Sequence, residues 1–347
     1  MSKLSSYIFI VLVLGFASCK KQEIGPQCPT CVDENITVKY DDVLIGCEGN
    51  FGWANASISL YNPTDNSTTN TVFQNINGYA LGDVLQSMTE YNGKLFVVVN
   101  NSGNIEILDT ATYQKTATIS GLTSPRYFCG ITNSKAYVSD LFSNQIAIVD
   151  LGSNSVIGNI ITGGWTEEML LVNDKVYVCR PDTNFILQIN ATTNTIEDTI
   201  IVAKGPSSLV LDSENNLWVL SSGGINEEQG KLNQIDPSTN NIIQTMVFSD
   251  ISNSPNNLKI SPDGETIYYL NNGVNQLSIY ASSLPSSSFI NQNGALFYGL
   301  GISPTNDIYV SDAVDYVQAG IVYRYDSTAS LIHQFLVGII PQGFWFK

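Results

Sequence analysis

The sequence predicts an all-β fold: a seven-bladed β-propeller in which the C-terminal strand completes the first blade. Three observations predict it. A short strand with an aromatic centre recurs at near-constant spacing, helical periodicity is absent, and the chain ends in a segment resembling the openings of its own repeats. The recurring strand is seen at Lys94-Leu95-Phe96-Val97, Lys135-Ala136-Tyr137-Val138, Lys175-Val176-Tyr177-Val178, Asn216-Leu217-Trp218-Val219, Thr266-Ile267-Tyr268-Tyr269 and Asp307-Ile308-Tyr309-Val310. Its aromatic positions are separated by 41, 40, 41, 50 and 41 residues. A seventh copy, Val43-Leu44-Ile45-Gly46-Cys47, opens the domain. Short alternating strands, four to a unit of this length, are the signature of a propeller, because one such sheet cannot bury both of its faces alone.

A third strand follows each of these and usually ends in Asp or Asn. Examples are Ile58 to Asn62, Ile105 to Asp109, Ile146 to Asp150, Ile186 to Asn190, Leu232 to Asp236 and Val322 to Asp326; Leu277 to Tyr280 is the copy without the acid. The terminal Asp or Asn opens a turn by hydrogen-bonding nearby backbone, as in Asp236-Pro237-Ser238-Thr239-Asn240. A fourth strand comes next, at Lys115 to Ile119 or Ile242 to Val247. Closure is expected from Ile340-Pro341-Gln342-Gly343-Phe344-Trp345-Phe346, which matches Ser124-Pro125-Arg126-Tyr127-Phe128 and Gly205-Pro206-Ser207-Ser208-Leu209. The first unit lacks a strand of this pattern before Val43. The tail is therefore expected to become its innermost strand.

Composition narrows the function. Lys and Arg total 15 and Asp and Glu 31, so the formal charge is 15 − 31 = −16. That argues against nucleic acid, whose binding rests on cations facing phosphates, and against docking on anionic lipid through a basic patch. With 43% hydrophobic and only 13% charged residues, the core supply is ample and the polar surface comes mainly from amides and hydroxyls. A single histidine, His333, leaves little scope for His-rich zinc sites or Ser–His couples. It lies in an outer strand, where a surface role is the expectation.

The N-terminus reads as an address. A basic start, the apolar run Tyr7 to Leu14, and Gly15-Phe16-Ala17-Ser18 before Cys19 resemble a bacterial lipoprotein signal. Residues 1–18 are the expected signal peptide, with Cys19 lipidated after cleavage. Lys20 follows in place of the Asp that favours inner-membrane retention, which points to the outer membrane. Residues 19–41 read as a polar tether and 42–347 as the propeller. Cys28 and Cys31 in the tether suit a structural or incidental pair, since no strand–helix unit follows. Cys47, Cys129 and Cys179 fall in expected strands, as buried thiols.

Ligands of propellers usually sit over the axial channel. The loops joining second to third strands, and those entering each inner strand, reach that face. Here they carry amides, hydroxyls and aromatics and few cations. Such a rim suits a bulky, uncharged, amide-decorated or sugar-like ligand, and not a polyphosphate. The candidate ligand-binding residues are Asn50, Trp53, Asn55, Asn101, Arg126, Tyr127, Trp165, Asp312 and Tyr316. Asn77-Gly78-Tyr79 is placed on the same rim. Gly49, Gly52 and Gly164 would let backbone approach a ligand closely. Packing between blades is the alternative for Trp53, Trp165 and Tyr316, and an ion pair with a nearby acid is the alternative for Arg126. Asp312 with Asp315 is an Asp-rich turn, since no DxDxDG loop is present. No catalytic or metal-binding residue is assigned. Glu48, Asn100 and Asp312 supply the residue types of a calcium-dependent lactonase, but no GxSxG elbow or SxDxGxTW box occurs.

The aromatic second strand with its Asp-centred turn resembles the YncE-like (YVTN-type) propellers across residues 42–347. More specific segments are Glu48-Gly49-Asn50-Phe51-Gly52, Gly121 to Tyr127, Gly163-Gly164-Trp165-Thr166-Glu167, Asp312 to Tyr316 with Val322 to Tyr325, and Val337 to Pro341. These resemble the surface-exposed propeller lipoproteins of the BtuG type, which capture cobalamin and pass it to a TonB-dependent outer-membrane transporter. The resemblance implies lipid anchoring in the outer membrane with cell-surface display. It also implies non-enzymatic capture of a corrinoid, no cofactor of the protein's own, and a transporter as partner. A protein-interaction propeller without a small ligand and a metal-dependent lactonase-like hydrolase are the alternatives.

Overall fold

A computed structural model describes residues 42–224 and 226–347. The expected signal, Cys19, the tether and the Cys28–Cys31 pair lie outside these residues. The described chain forms seven four-stranded antiparallel sheets, each running from an inner to an outer strand in chain order except the first. The second strands are Val43–Cys47, Lys94–Val99, Lys135–Asp140, Lys175–Cys179, Leu217–Ser221, Thr266–Leu270 and Ile308–Asp312. They coincide with the aromatic repeats of the sequence.

The reason for those repeats is two-sided burial. Side chains of a strand alternate between faces. In Lys94–Val99, Leu95, Val97 and Val99 point into the cluster shared with blade one. Phe96 and Val98 point into the cluster shared with blade three, where Phe96 stacks on Phe128 at 3.9 Å between ring centres. Seven such clusters lie at the blade interfaces, so the core is a ring of wedges. A strand buried on both faces reads as a continuous apolar run, as in Leu95 to Val99.

Closure is as expected. Pro341–Phe346 pairs antiparallel with Val43–Cys47, with Val43 opposite Phe346 and Leu44 opposite Trp345, and becomes the inner strand of blade one. Trp345 packs into the cluster between blades one and two, and Phe344 and Phe346 pack on that between seven and one. The same junction positions the rim: the amides of Glu48 and Gly49 donate to the carbonyls of Ile340 and Ile339 at 2.9 and 3.0 Å.

Three local details differ from expectation. A six-residue helix, Val72–Asn77, links blades one and two and buries Val72 and Phe73. Six residues are too few for a periodicity to register, and its stability comes from packing rather than propensity. The third strand of blade six is Gly273–Ser278, which ends before Tyr280, and its outer strand is only Ile290–Asn291. Finally, Asn77-Gly78-Tyr79 does not reach the rim. The Asn77 side chain accepts from the Lys115 amide at 2.8 Å and donates to the Tyr113 carbonyl at 3.2 Å. These residues flank the turn into blade two's outer strand, at the sheet end away from the rim, and Lys115 lies over the Tyr79 ring.

Candidate functional site

The inner strands surround the axis, and their polar side chains line it. At the rim end, a depression of about 370 Å³ is bordered by Arg126, Tyr127, Trp165, Glu167, Ser207 and Gln342. A second space of about 360 Å³ lies along the channel. Tyr127, Glu168, Asn257 and Gln342 border both.

At the depression, the buried Glu167 carboxylate accepts from Arg126 Nε at 2.6 Å and from Trp165 Nε1 at 2.6 Å through the same oxygen. Arg126 also donates to Gln86 Oε1. Burial pushes the Glu167 carboxyl up, and Arg126 only partly offsets this. Burial disfavours the Arg126 charge, yet Glu167, with Tyr127 and Glu48, together outweigh it and hold the guanidinium more firmly protonated than usual. Burial also raises the Tyr127 hydroxyl well above the ordinary phenol. Deeper in the channel, Lys259 faces Glu168 at 3.6 Å. Both of these channel-facing cations therefore have a carboxylate partner, which leaves the site close to neutral.

The neighbouring loops of blades one and seven form an exposed tip. Trp53 is 77% and Phe51 74% exposed, and Tyr316 is 45% exposed. Asn50 and Asn55 brace the tip. The Asn50 amide donates to Asn55 Oδ1 at 2.7 Å, and Asn50 Nδ2 donates to the Tyr316 carbonyl at 2.7 Å. Gly49 is required here: its φ is +74°, and a Cβ would lie 2.4 Å from Asn55 Oδ1. Asp83 fastens the tip to blade two by accepting from the Gly52 amide at 2.8 Å and from Asn101 Nδ2 at 2.6 Å.

The structure thus gathers Arg126, Tyr127 and Trp165 at the depression and Asn50, Trp53, Asn55 and Tyr316 on the tip. It gives Asn101 and Asp312 bracing roles instead. Asp312 is buried, and its Oδ1 accepts from the amides of Leu296 and Val314 at 2.9 and 2.8 Å. Asp315 likewise caps Val317 and Gln318, so the pair is an Asp-rich turn. Gly164 serves packing rather than ligand approach, since a Cβ there would meet Asp182 at 2.4 Å and Arg180 at 2.5 Å. Asn100 is buried, and its amide donates to Ser124 Oγ and the Pro125 carbonyl, both at 2.9 Å. Of the lactonase trio, Glu48 alone has no backbone group to brace among the described residues; its carboxylate accepts from the Tyr298 hydroxyl at 3.0 Å. Among the described residues, no group of three or more His, Cys, Asp or Glu side chains is arranged to hold a metal ion. His333 stacks between blades against Tyr61 and Phe335, away from the axis. The three strand cysteines are buried, which pushes the thiols of Cys47 and Cys129 up to about 12 and keeps them protonated.

Gln86, Glu168, Lys259, Tyr298 and Gln342 were not among the sequence candidates. Polar residues interrupting inner strands were the available signal, because one face of such a strand looks onto the channel.

Glu48 yields a pH prediction. Burial raises its carboxyl to about 7, while the Tyr298 hydroxyl, donating at 3.0 Å, and the Arg126 charge pull less strongly the other way. A folded-state value above the unfolded one means stability present in full below about 4.5 and lost as pH rises through about 7. Glu48→Gln should remove that loss. The variant should gain roughly 3–4 kcal/mol on the parent between pH 4.5 and 8 in urea melts, at about 1.4 kcal/mol per pKa unit. Equal pH dependence in both proteins would contradict the placement of Glu48.

The family described as "Domain of unknown function (DUF5074)" matches residues 41–346, and the chain belongs to it. No curated protein matches the sequence. Among solved structures, a quinoprotein alcohol dehydrogenase-like protein of Bacteroides thetaiotaomicron is similar at TM-score 0.70 and 14% identity, over 87% of this chain and 77% of that one. A Lactobacillus plantarum protein is similar at 0.69 and 14%, over 89% and 100%. The periplasmic gluconolactonase of Pseudomonas aeruginosa is similar at 0.67 and 12%, over 88% and 98%. At these identities the likeness establishes the propeller fold alone.

Proposed function

We propose that this DUF5074 propeller is a non-enzymatic capture protein, lipid-anchored in the outer membrane at the cell surface. It binds a corrinoid such as cobalamin at the rim and hands it to a TonB-dependent transporter. One observation carries the reading: a preformed, near-neutral depression opens on the same face of the ring as a braced tip with Trp53 and Phe51 exposed. Amides and hydroxyls match the amide edge of a corrin ring, and the exposed aromatics offer cover for its flat face. The loops are already held by hydrogen bonds, so little ordering cost falls on binding.

Titration calorimetry with cyanocobalamin tests this. The expected result is one site, weakened at least tenfold by Trp53→Ala, as the loss of about 1.4 kcal/mol of aromatic contact requires. No heat and no spectral shift at micromolar protein would overturn it. Anchoring is tested separately: Cys19→Ala should abolish incorporation of labelled palmitate.

The second reading is a lactone hydrolase. It is favoured by Glu48, whose half-buried carboxyl is raised to about 7, and by a similar fold in a gluconolactonase. EDTA-sensitive turnover of gluconolactone, abolished by Glu48→Gln, would select it over capture.

A further inference from the structure

We infer that a crevice between blades five and six is a second binding site, for a neutral mono- or disaccharide. It lies apart from the axial depression and does not rest on the capture reading.

The crevice exists because blade six is irregular. Its outer strand is only Ile290–Asn291 and pairs with Gly273 and Val274, so the rest of the third strand has no fourth beside it. The connection of residues 279–289 runs there instead, and it is pinned at two points. Ser288 Oγ donates to the Asn272 carbonyl at 3.1 Å, and the Ala281 carbonyl accepts from Gln244 Nε2 of blade five's outer strand at 3.2 Å. This segment and the end of blade five's outer strand flank a space of about 490 Å³. Small-molecule sites span roughly 300–1,000 Å³.

Residues bordering the space hold polar atoms that the fold leaves unused. Tyr269 is 1% exposed and packs edge-on against Phe248 at 5.5 Å, yet its hydroxyl has no hydrogen-bonding partner among the described residues. Burial raises the phenol above its ordinary value, so the hydroxyl stays a donor. Asn275 is also buried. Its Nδ2 donates to the carbonyls of Asn271 and Gly273 at 2.8 and 3.3 Å, which fixes the amide and leaves Oδ1 as an acceptor. The half-buried Asn253 accepts from Asn272 Nδ2 at 3.1 Å through Oδ1, which leaves its Nδ2 as a donor. None of these three atoms is sealed from solvent. Nearly buried polar atoms are costly unless something satisfies them.

The ligand's chemistry follows from this lining. None of the bordering residues is charged. An ion entering the crevice would lose hydration with no countercharge to offset the loss. Hydroxyls both donate and accept, so a polyol can serve the two donors and the acceptor together. Leu284 and Pro285 add an apolar wall for the C–H face of a sugar ring.

Saturation-transfer NMR on the full-length protein, with glucose, galactose, mannose, maltose, cellobiose and lactose, tests the site. At least one should bind, about tenfold more tightly than glucuronate or glucosamine, which put a charge on the same ring. Tyr269→Phe removes a hydroxyl that the fold does not use, so the melting temperature should be kept while sugar binding weakens about fivefold. Asn253→Asp keeps the acceptor for Asn272 and removes the donor, and it should weaken binding too. No binding across the panel would overturn the site. So would glucuronate, glucosamine or propionamide binding as tightly as the best neutral sugar, or an affinity untouched by Tyr269→Phe. Cyanocobalamin affinity should be equal in Tyr269→Phe and the parent; loss of both ligands together would overturn a separate site. If cyanocobalamin fails to bind the parent while the sugars behave as expected, the capture reading falls and the crevice stands.

Discussion

Deleting Gly343 to Lys347 should abolish cooperative folding. The segment supplies most of the inner strand of blade one, pairing with Val43 to Gly46. Trp345 meets Tyr113 edge-on at 6.2 Å, and its Nε1 donates to Glu90 at 3.2 Å. Phe344 and Phe346 lie against Tyr309. Removing a buried aromatic costs about 3–5 kcal/mol. With three aromatics lost, the sum reaches the whole stability of an ordinary domain, about 5–15 kcal/mol. Trp345→Ala is the graded version and should cost about 3–5 kcal/mol in denaturant melts. A truncated chain that melts at the parent temperature would show that the ring does not depend on this closure.

The second large effect concerns the depression. Arg126→Met strands the Glu167 carboxylate, which is 4% exposed and would keep only Trp165 Nε1 as a donor. Breaking a buried pair by removing one partner costs about 3–5 kcal/mol, more than the intact pair contributes. The loss should deepen as pH rises, because a carboxyl held above its ordinary value is penalised once it must ionise. Arg126→Met with Glu167→Gln should recover at least half, since no charge is then left buried. A double variant no better than the single one would mean that Arg126 acts through packing rather than charge. Equilibrium urea unfolding at pH 5 and pH 8 measures both effects.

The repeats were legible because two-sided burial forces a particular spelling. Tyr137, Tyr177, Trp218 and Tyr309 are each almost wholly buried, and each falls on the second strand where the spacing placed it. Closure was legible for the same reason: Pro341 to Phe346 is spelled like an inner strand and had no other blade to join. The site was less so. Arg126 and Trp165 were visible as residue types, but their shared partner Glu167 lies 41 residues from Arg126. Glu48 and Tyr298 meet across 250 residues. Such pairings are products of ring geometry, and no local pattern marks them. Asp312 misled because an acid at a strand end looks the same whether it faces a ligand or caps a turn; two backbone amides decide for the turn. Tyr79 misled because the helix before it diverts the chain to the far end of the sheet.

Hydrogen–deuterium exchange with and without cyanocobalamin tests the central claim of capture at a neutral, preformed mouth. Protection confined to residues 48–55, 163–168 and 312–318, with the outer strands unchanged, is the predicted result. Identical exchange in both states, or protection only along the outer strands, would contradict it.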